Sequence, residues 1–260
     1  MASDATLAPL LAQFVPVSID VASPDFGKLA RQLNLAGQIS IPYLTVLRAD
    51  GEKLYAGSGA PQGEALPALL RECLANAGKP LDEKKLARMS DALEAAMKLA
   101  ADGHDAAAID KISKLIDSGS YAEPAVAIDM FAKQLADKAR ARVEEAEKQI
   151  AEEDPQAVFS GVLALCETMR VYGKLPAVKA ELAPRIRKLR SEAEMRPILQ
   201  QAEALDRAVA TAARQPKRAA TAYQQVIDRY PGSPAATLAQ QRLDELSAQG
   251  AGHKSAHQAP

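Results

Sequence analysis

The stretch "ISIPYLTVLRADGEKLYAGSG" (Ile39–Gly59) decides how the first third of the chain is read. Tyr43 to Leu47 carries aromatic and branched side chains suited to a half-buried pleated surface, so it is expected to be a strand. Ala49-Asp50-Gly51 supplies turn chemistry, because Gly and Asp tolerate the positive φ of a tight hairpin. Lys53 to Ala56 is then the return strand. Upstream, "FVPVSIDV" (Phe14–Val21) is rich in β-branched residues and reads as another strand, with Pro16 at its beginning or on an edge. "TLAPLLAQ" before it has the pattern of a helix end. In "SPDFGKLARQLNL", Ser23 can cap and Pro24 fits the first helical position, while Phe26, Leu29, Ala30 and Leu33 share a face. Downstream, Gly57 to Pro61 breaks the return strand and Gly63 to Ala77 reads as a helix. The expected order is helix, strand, helix, strand, strand, helix.

Composition narrows the function. The chain has 260 residues, 48% hydrophobic and 25% charged, with no Trp and 4% aromatics. Small side chains and few rings suit close-packed helices. The 32 basic and 33 acidic residues give a net charge of -1, so no long-range field draws in nucleic acid or an anionic membrane. No run of eighteen apolar residues is present, so no membrane span is expected. No Lys or Arg precedes Lys28, so a signal peptide's basic region is missing. The chain as written is expected in the cytoplasm; an upstream signal segment would make it exported or periplasmic.

From Pro80 onward the pattern is helical to about residue 248. Breaks are expected at "ADGHD", "DSGSYAEP", "EEDP", "YGKLP", "RQPK" and "YPGSP", and Pro124 to Glu153 reads as one long helix with a solvated charged face. "DPQAVFSGVLALCETMRVYGKLPAVKAELAPRIRKL" and "QPKRAATAYQQVIDRYPGSPAATLAQQRLDEL" share a plan. Each has a Pro-led helix, a Tyr near its end, a Gly and Pro turn, and a second helix closing on Leu. The copy with Tyr223, Ile227, Tyr230, Pro231, Ala239 and Leu243 resembles tetratricopeptide-type helical hairpins, which stack and leave a groove for partner segments. A plain helical bundle is the other reading. The tail from 249 to 260 is Gly, Ala and Ser rich and is expected to be disordered. Its His253 and His257 lack a third ligand, so no metal site is assigned.

The first region, about Thr6 to Ala77, resembles the thioredoxin-like family. "FVPVSIDV" is similar to that family's second core strand. "KLARQLNLAGQISIPYLTVLRADGEKLYAGSG" is similar to its helix, x-Ile-Pro-x-Leu segment, strand, Asp-Gly turn and Gly-marked strand end. The resemblance implies that Pro42 is the family's cis-proline and Ile41 the residue before it, with the backbone there taking up extended peptides. It also implies a central strand and a Cys-x-x-Cys helix upstream. Together these would need roughly 25–30 residues, more than the chain has before Phe14. Without the central strand, Phe14–Val21 would pair directly with Tyr43–Leu47 or leave an exposed edge that invites a second copy of the chain.

The two cysteines do not restore the chemistry. Cys73 lies on a helical face with Leu66, Leu69, Leu70 and Leu74, and Cys166 lines up with Phe159, Val162, Leu163 and Met169. Both spacings suggest core positions, where a thiol behaves as a small apolar group. No Ser-His-Asp set or metal motif is evident, and "GSGAPQG" lacks the Lys-Ser/Thr of a phosphate loop. The expected fold class is therefore α/β plus all-α. An incomplete thioredoxin-like subdomain (1–79) precedes a helical-hairpin region (80–248), repeat-like or bundle, and the tail (249–260). No catalytic residue, cofactor or metal is assigned; Ile41 and Pro42 are the candidate peptide-binding positions. The expected function is a redox-inactive thioredoxin-like binding module or scaffold with a protein or peptide partner. The alternative is a thiol–disulfide oxidoreductase whose Cys-x-x-Cys lies upstream of this chain.

Overall fold

The structure, a computed structural model, describes residues 4–24, 26–32, 42–59, 61–79 and 81–255. It is mostly helical with one small antiparallel sheet. Contacts divide it into two units, Met1–Glu94 with Leu115–Met130, and Ala95–Lys114 with Phe131–Pro260.

In the first unit α1 (Asp4–Leu11) and α2 (Phe26–Gln32) precede the hairpin β1 (Tyr43–Leu47) and β2 (Lys53–Ser58). Tyr43 pairs with Ser58 and Val46 with Tyr55, and the register shifts between Val46 and Leu47. The turn forms where Asp50-Gly51 predicts it. Gly51 takes a φ of +88° and its N–H donates to the Arg48 carbonyl, a conformation that carries little penalty without a Cβ. At the open end, the Gly59 N–H donates to the Pro42 carbonyl at 2.6 Å. Helix α3 (Ala65–Asn76) packs on β2 and α1, burying Pro67, Leu70 and Cys73. The Arg48 guanidinium lies 3.4 Å from the ring centroid of Tyr121, held there by ion pairs to Asp50 and Glu52. An isolated bridge joins Gly78 to Ser120.

The strand expected at Phe14–Val21 is not formed. The sheet contains only β1 and β2 among the described residues, and 15–20 is irregular, with Val15 89% and Val17 74% exposed. The composition favours a strand, but a strand also needs a neighbour to accept its backbone hydrogen bonds. The direct pairing with Tyr43–Leu47 is likewise absent, and the sheet edge expected there for self-pairing is instead an unpaired segment.

Helix α4 (Glu83–Ala101) and helix α6 (Glu123–Ile150) each contribute residues to both units. The second unit adds α5 (Asp105–Ile112), α7 (Pro155–Tyr172), α8 (Pro176–Ser191), α9 (Met195–Arg214), α10 (Ala219–Arg229) and α11 (Pro234–Ser255), with a 3-10 turn at Pro216–Arg218. Three of these helices start where a cap or bend meets a proline. Asp154 accepts from the N–H groups of Gln156 and Ala157 ahead of Pro155 at the first position. Leu175 is extended before Pro176, and the Ser233 hydroxyl accepts from the Ala236 N–H beside Pro234. The Asp154 and Ser233 side chains satisfy orphan donors of the first turn, and proline suits a position whose N–H has no helical partner.

Packing follows the apolar stripes. Helix α7 meets α5, α8 and α9; α9 meets α10 and α11; and α11 also reaches α7. Phe159, Val162, Leu165, Leu182, Leu199, Ala202 and Leu205 form the centre of this core. Gly161 permits close approach of α6 to α7, since a Cβ built there would lie 2.5 Å from the Ala146 carbonyl oxygen. One break was not expected: α8 ends at Ser191 and α9 begins at Met195, although Glu192-Ala193-Glu194 contains neither Gly nor Pro.

Candidate binding groove

Three helices of the second unit each turn one stripe toward a common cavity of about 610 Å³. From α7 come Cys166, Met169 and Arg170, at the i, i+3, i+4 spacing that places side chains on one helical face. From α8 come Ala183, Ile186, Arg187 and Arg190, and from α9 Glu203, Asp206 and Arg207, at the same spacing. Cys166, Met169, Ala183 and Ile186 supply apolar surface, while the charged residues bring four guanidinium groups and two carboxylates.

Both carboxylates are engaged. Arg170 Nε donates to Asp206 Oδ1 at 2.7 Å, tying α7 to α9, and Arg190 donates to Glu203 at 2.6 Å, tying α8 to α9. Asp206 is only 7% exposed, so its pairing with Arg170 offsets a desolvation that an unpaired carboxylate would not tolerate. Arg207 Nε donates to the Glu203 backbone carbonyl. Among the described residues neither Arg187 nor Arg207 has a carboxylate within ion-pair distance. Arg207 also borders a second hollow of about 280 Å³ between α9 and α10, where Ala208, Val226 and Arg229 are neighbours. The cavity has the size and mixed lining of a site that binds an amphipathic group.

A second polar cluster ties helices together. Asp105, at the start of α5 and 6% exposed, accepts from the Tyr172 hydroxyl of α7 and pairs with Lys138 of α6 at 2.5 Å. Burial pushes its carboxyl upward, but the Lys138 and Tyr172 hydrogen bonds outweigh it and hold the group below the usual carboxylate range. The Tyr172 hydroxyl is pushed up, first by burial and then by Asp105.

The sequence-derived positions fall elsewhere. Pro42 is exposed at the head of β1, and Ile41 lies outside the described residues, as does the bond between them. Cys73 and Cys166 are both buried. Burial raises the Cys73 thiol, with a smaller push from Glu72. Burial and the nearby carboxylates Asp206, Glu203 and Glu167 push the Cys166 thiol up to about 12. Among the described residues no group of three or more His, Cys, Asp or Glu could hold a metal ion, and no helix is long and apolar enough to cross a membrane. Sequence reasoning placed Cys166 in the core but did not identify the arginines around it. On α7 and α8 their signal was the i, i+3, i+4 spacing of Arg with apolar residues, whereas the α9 face carries only charged ones.

No family model, curated protein or solved structure matches this chain.

Proposed function

We propose that the chain is a protein-binding module: a thioredoxin-like, redox-inactive N-terminal part joined to a helical unit that carries the working surface. The observation that carries this reading is the groove of α7, α8 and α9. It combines an apolar floor with two arginines, Arg187 and Arg207, that form no ion pair among the described residues. A core-facing stripe would be expected to fill its volume, and a solvated one would lack the Met169 and Ile186 surface.

Other features support the remaining parts of the reading. The hairpin β1–β2 with its Asp50-Gly51 turn, followed by α3 packed on β2, has the order that the thioredoxin-like resemblance implies. Helices α10 and α11 pack with Tyr223, Ala235 and Ala239 buried, as a tetratricopeptide-like hairpin would. Exchange chemistry needs an accessible thiolate, and both thiols here are buried with their ionisation opposed.

Panning the full chain against a random peptide library tests the module. Recovered peptides should bind the wild type and lose binding to Ala183→Trp, which fills the cavity while helical circular dichroism is retained. Failure to recover any peptide, or equal binding to the filled variant, would refute the groove as the working surface. In an insulin-reduction assay with dithiothreitol, the chain should give no acceleration over dithiothreitol alone; clear acceleration would overturn the redox-inactive part.

A further inference from the structure

We infer that the groove takes an extended acidic peptide segment in which carboxylate side chains alternate with apolar ones. This rests on the reading of the groove as a binding surface and adds the chemistry of the partner. The track consists of two hollows that adjoin at one side chain. The cavity of about 610 Å³ and the hollow of about 280 Å³ share Arg207 in their walls. Along α9 the residues that line one hollow or the other run from Glu203 to Thr211, about 12 Å at 1.5 Å per residue. An extended segment of about four residues spans that length. A single small anion would occupy only a fraction of it.

Charge defines the occupant further. Among the described residues, Arg187 on α8, Arg207 on α9 and Arg229 on α10 have no carboxylate partner within ion-pair distance. Arg229 instead lies 5.5 Å from the Tyr230 ring centroid. The only two carboxylates in the walls, Glu203 and Asp206, are consumed by Arg190 and Arg170. The track is therefore locally positive on a chain whose net charge is -1. A general polycation is not the cause; the excess belongs to this surface. Guanidinium forks match carboxylates in bidentate geometry. Met169 and Ile186 between them offer apolar contacts in the larger hollow. In an extended peptide, successive side chains point to opposite sides. Alternation of acidic and apolar residues thus lets one set meet the rim arginines while the other settles on the floor.

The probe is a fluorescein-labelled peptide of alternating glutamate and leucine, measured by anisotropy against the full chain. Two control peptides replace every glutamate by lysine or every leucine by serine. The Glu/Leu peptide should bind, and both controls should bind at least about tenfold more weakly. Affinity should fall as ionic strength rises from about 0.01 to about 1 M, since the screening length shortens from about 30 to about 3 Å. Arg187→Gln and Arg207→Gln should each weaken binding about threefold and together about tenfold, while Arg242→Gln on α11 leaves it unchanged. Equal binding of the lysine peptide would overturn the acidic partner and leave the module reading standing. A single-stranded oligonucleotide that displaces the peptide at lower concentration than the unlabelled peptide does would assign the track to nucleic acid and overturn the inference. If no probe binds and the library also yields no peptide, the module reading falls with it.

Discussion

Arg170 Nε on α7 donates to Asp206 Oδ1 on α9 at 2.7 Å, at the base of a groove that both helices line. The two residues are not equally placed: Asp206 is buried, whereas the Arg170 side chain remains about a third exposed. Removing the arginine therefore strands a buried charge, and the cost lies mainly in that stranded group. Arg170→Met should destabilise the helical unit by about 1–3 kcal/mol. Adding Asp206→Leu should recover most of that loss, because the burial cost disappears with the carboxylate. Urea midpoints of the wild type, both single variants and the double variant form the necessary cycle. A double variant as unstable as the sum of the singles would mean the pair is not coupled.

The Asp105 cluster makes stability depend on pH in a predictable direction. Its carboxyl is depressed in the folded state, so its contribution is complete above the unfolded carboxyl value of about 4 and is lost as pH falls through the lower folded value. Tyr172 and Lys138 are both raised. Their contributions are complete below unfolded values of about 10 and are lost as pH rises through the higher folded ones. The stability difference between wild type and Asp105→Asn should be flat from about pH 5 to about pH 9 and shrink on both sides. Denaturation curves across pH test this; a difference that stays constant down to about pH 2 would remove Asp105 from the acid limb.

The contrast between legible and illegible features has a physical basis. The hairpin was legible because Asp50-Gly51 fixes its turn locally. The starts of α7 and α11 were legible because Asp154-Pro155 and Ser233-Pro234 carry cap and proline signals, and that of α8 because Pro176 supplies the proline signal alone. The break between α8 and α9 was not, since Glu192-Ala193-Glu194 consists of good helix formers and the chain bends there to pack both helices on α7. Phe14–Val21 had strand propensity but no partner strand, and propensity does not supply one. The groove was the least legible feature. Arg170, Arg187, Arg190 and Arg207 come from three helices, and each by itself reads as an ordinary surface charge. Only the packing of α7, α8 and α9 brings them to one cavity.

Gly161 offers a test of the close approach between α6 and α7. In an exposed helix, Gly→Ala would add about 0.5–1 kcal/mol of stability. Here the new Cβ would meet the Ala146 carbonyl oxygen at 2.5 Å and the Ile150 side chain at 2.8 Å. Backbone cannot yield as a flexible side chain can, so Gly161→Ala should instead lose about 1–3 kcal/mol, seen as a lower thermal midpoint. A raised midpoint would mean the two helices separate at little cost.

Cys166 connects the core to the groove, because it is buried yet contributes to the cavity floor. With its thiol pushed up to about 12, roughly one molecule in ten thousand carries the thiolate at pH 8. Since the thiolate is the reacting species, iodoacetamide should alkylate Cys166 in the native chain at least about a hundredfold more slowly than in urea. Mass spectrometry of peptides containing Cys73 and Cys166 separates the two sites. A peptide seated in the groove should slow Cys166 further and leave Cys73 unaffected, because Cys73 lies in α3 within the other unit. Fast native alkylation of Cys166 would contradict both its burial and the redox-inactive reading. Equal protection of the two cysteines by peptide would instead point to stabilisation of the whole chain rather than occupancy of the groove.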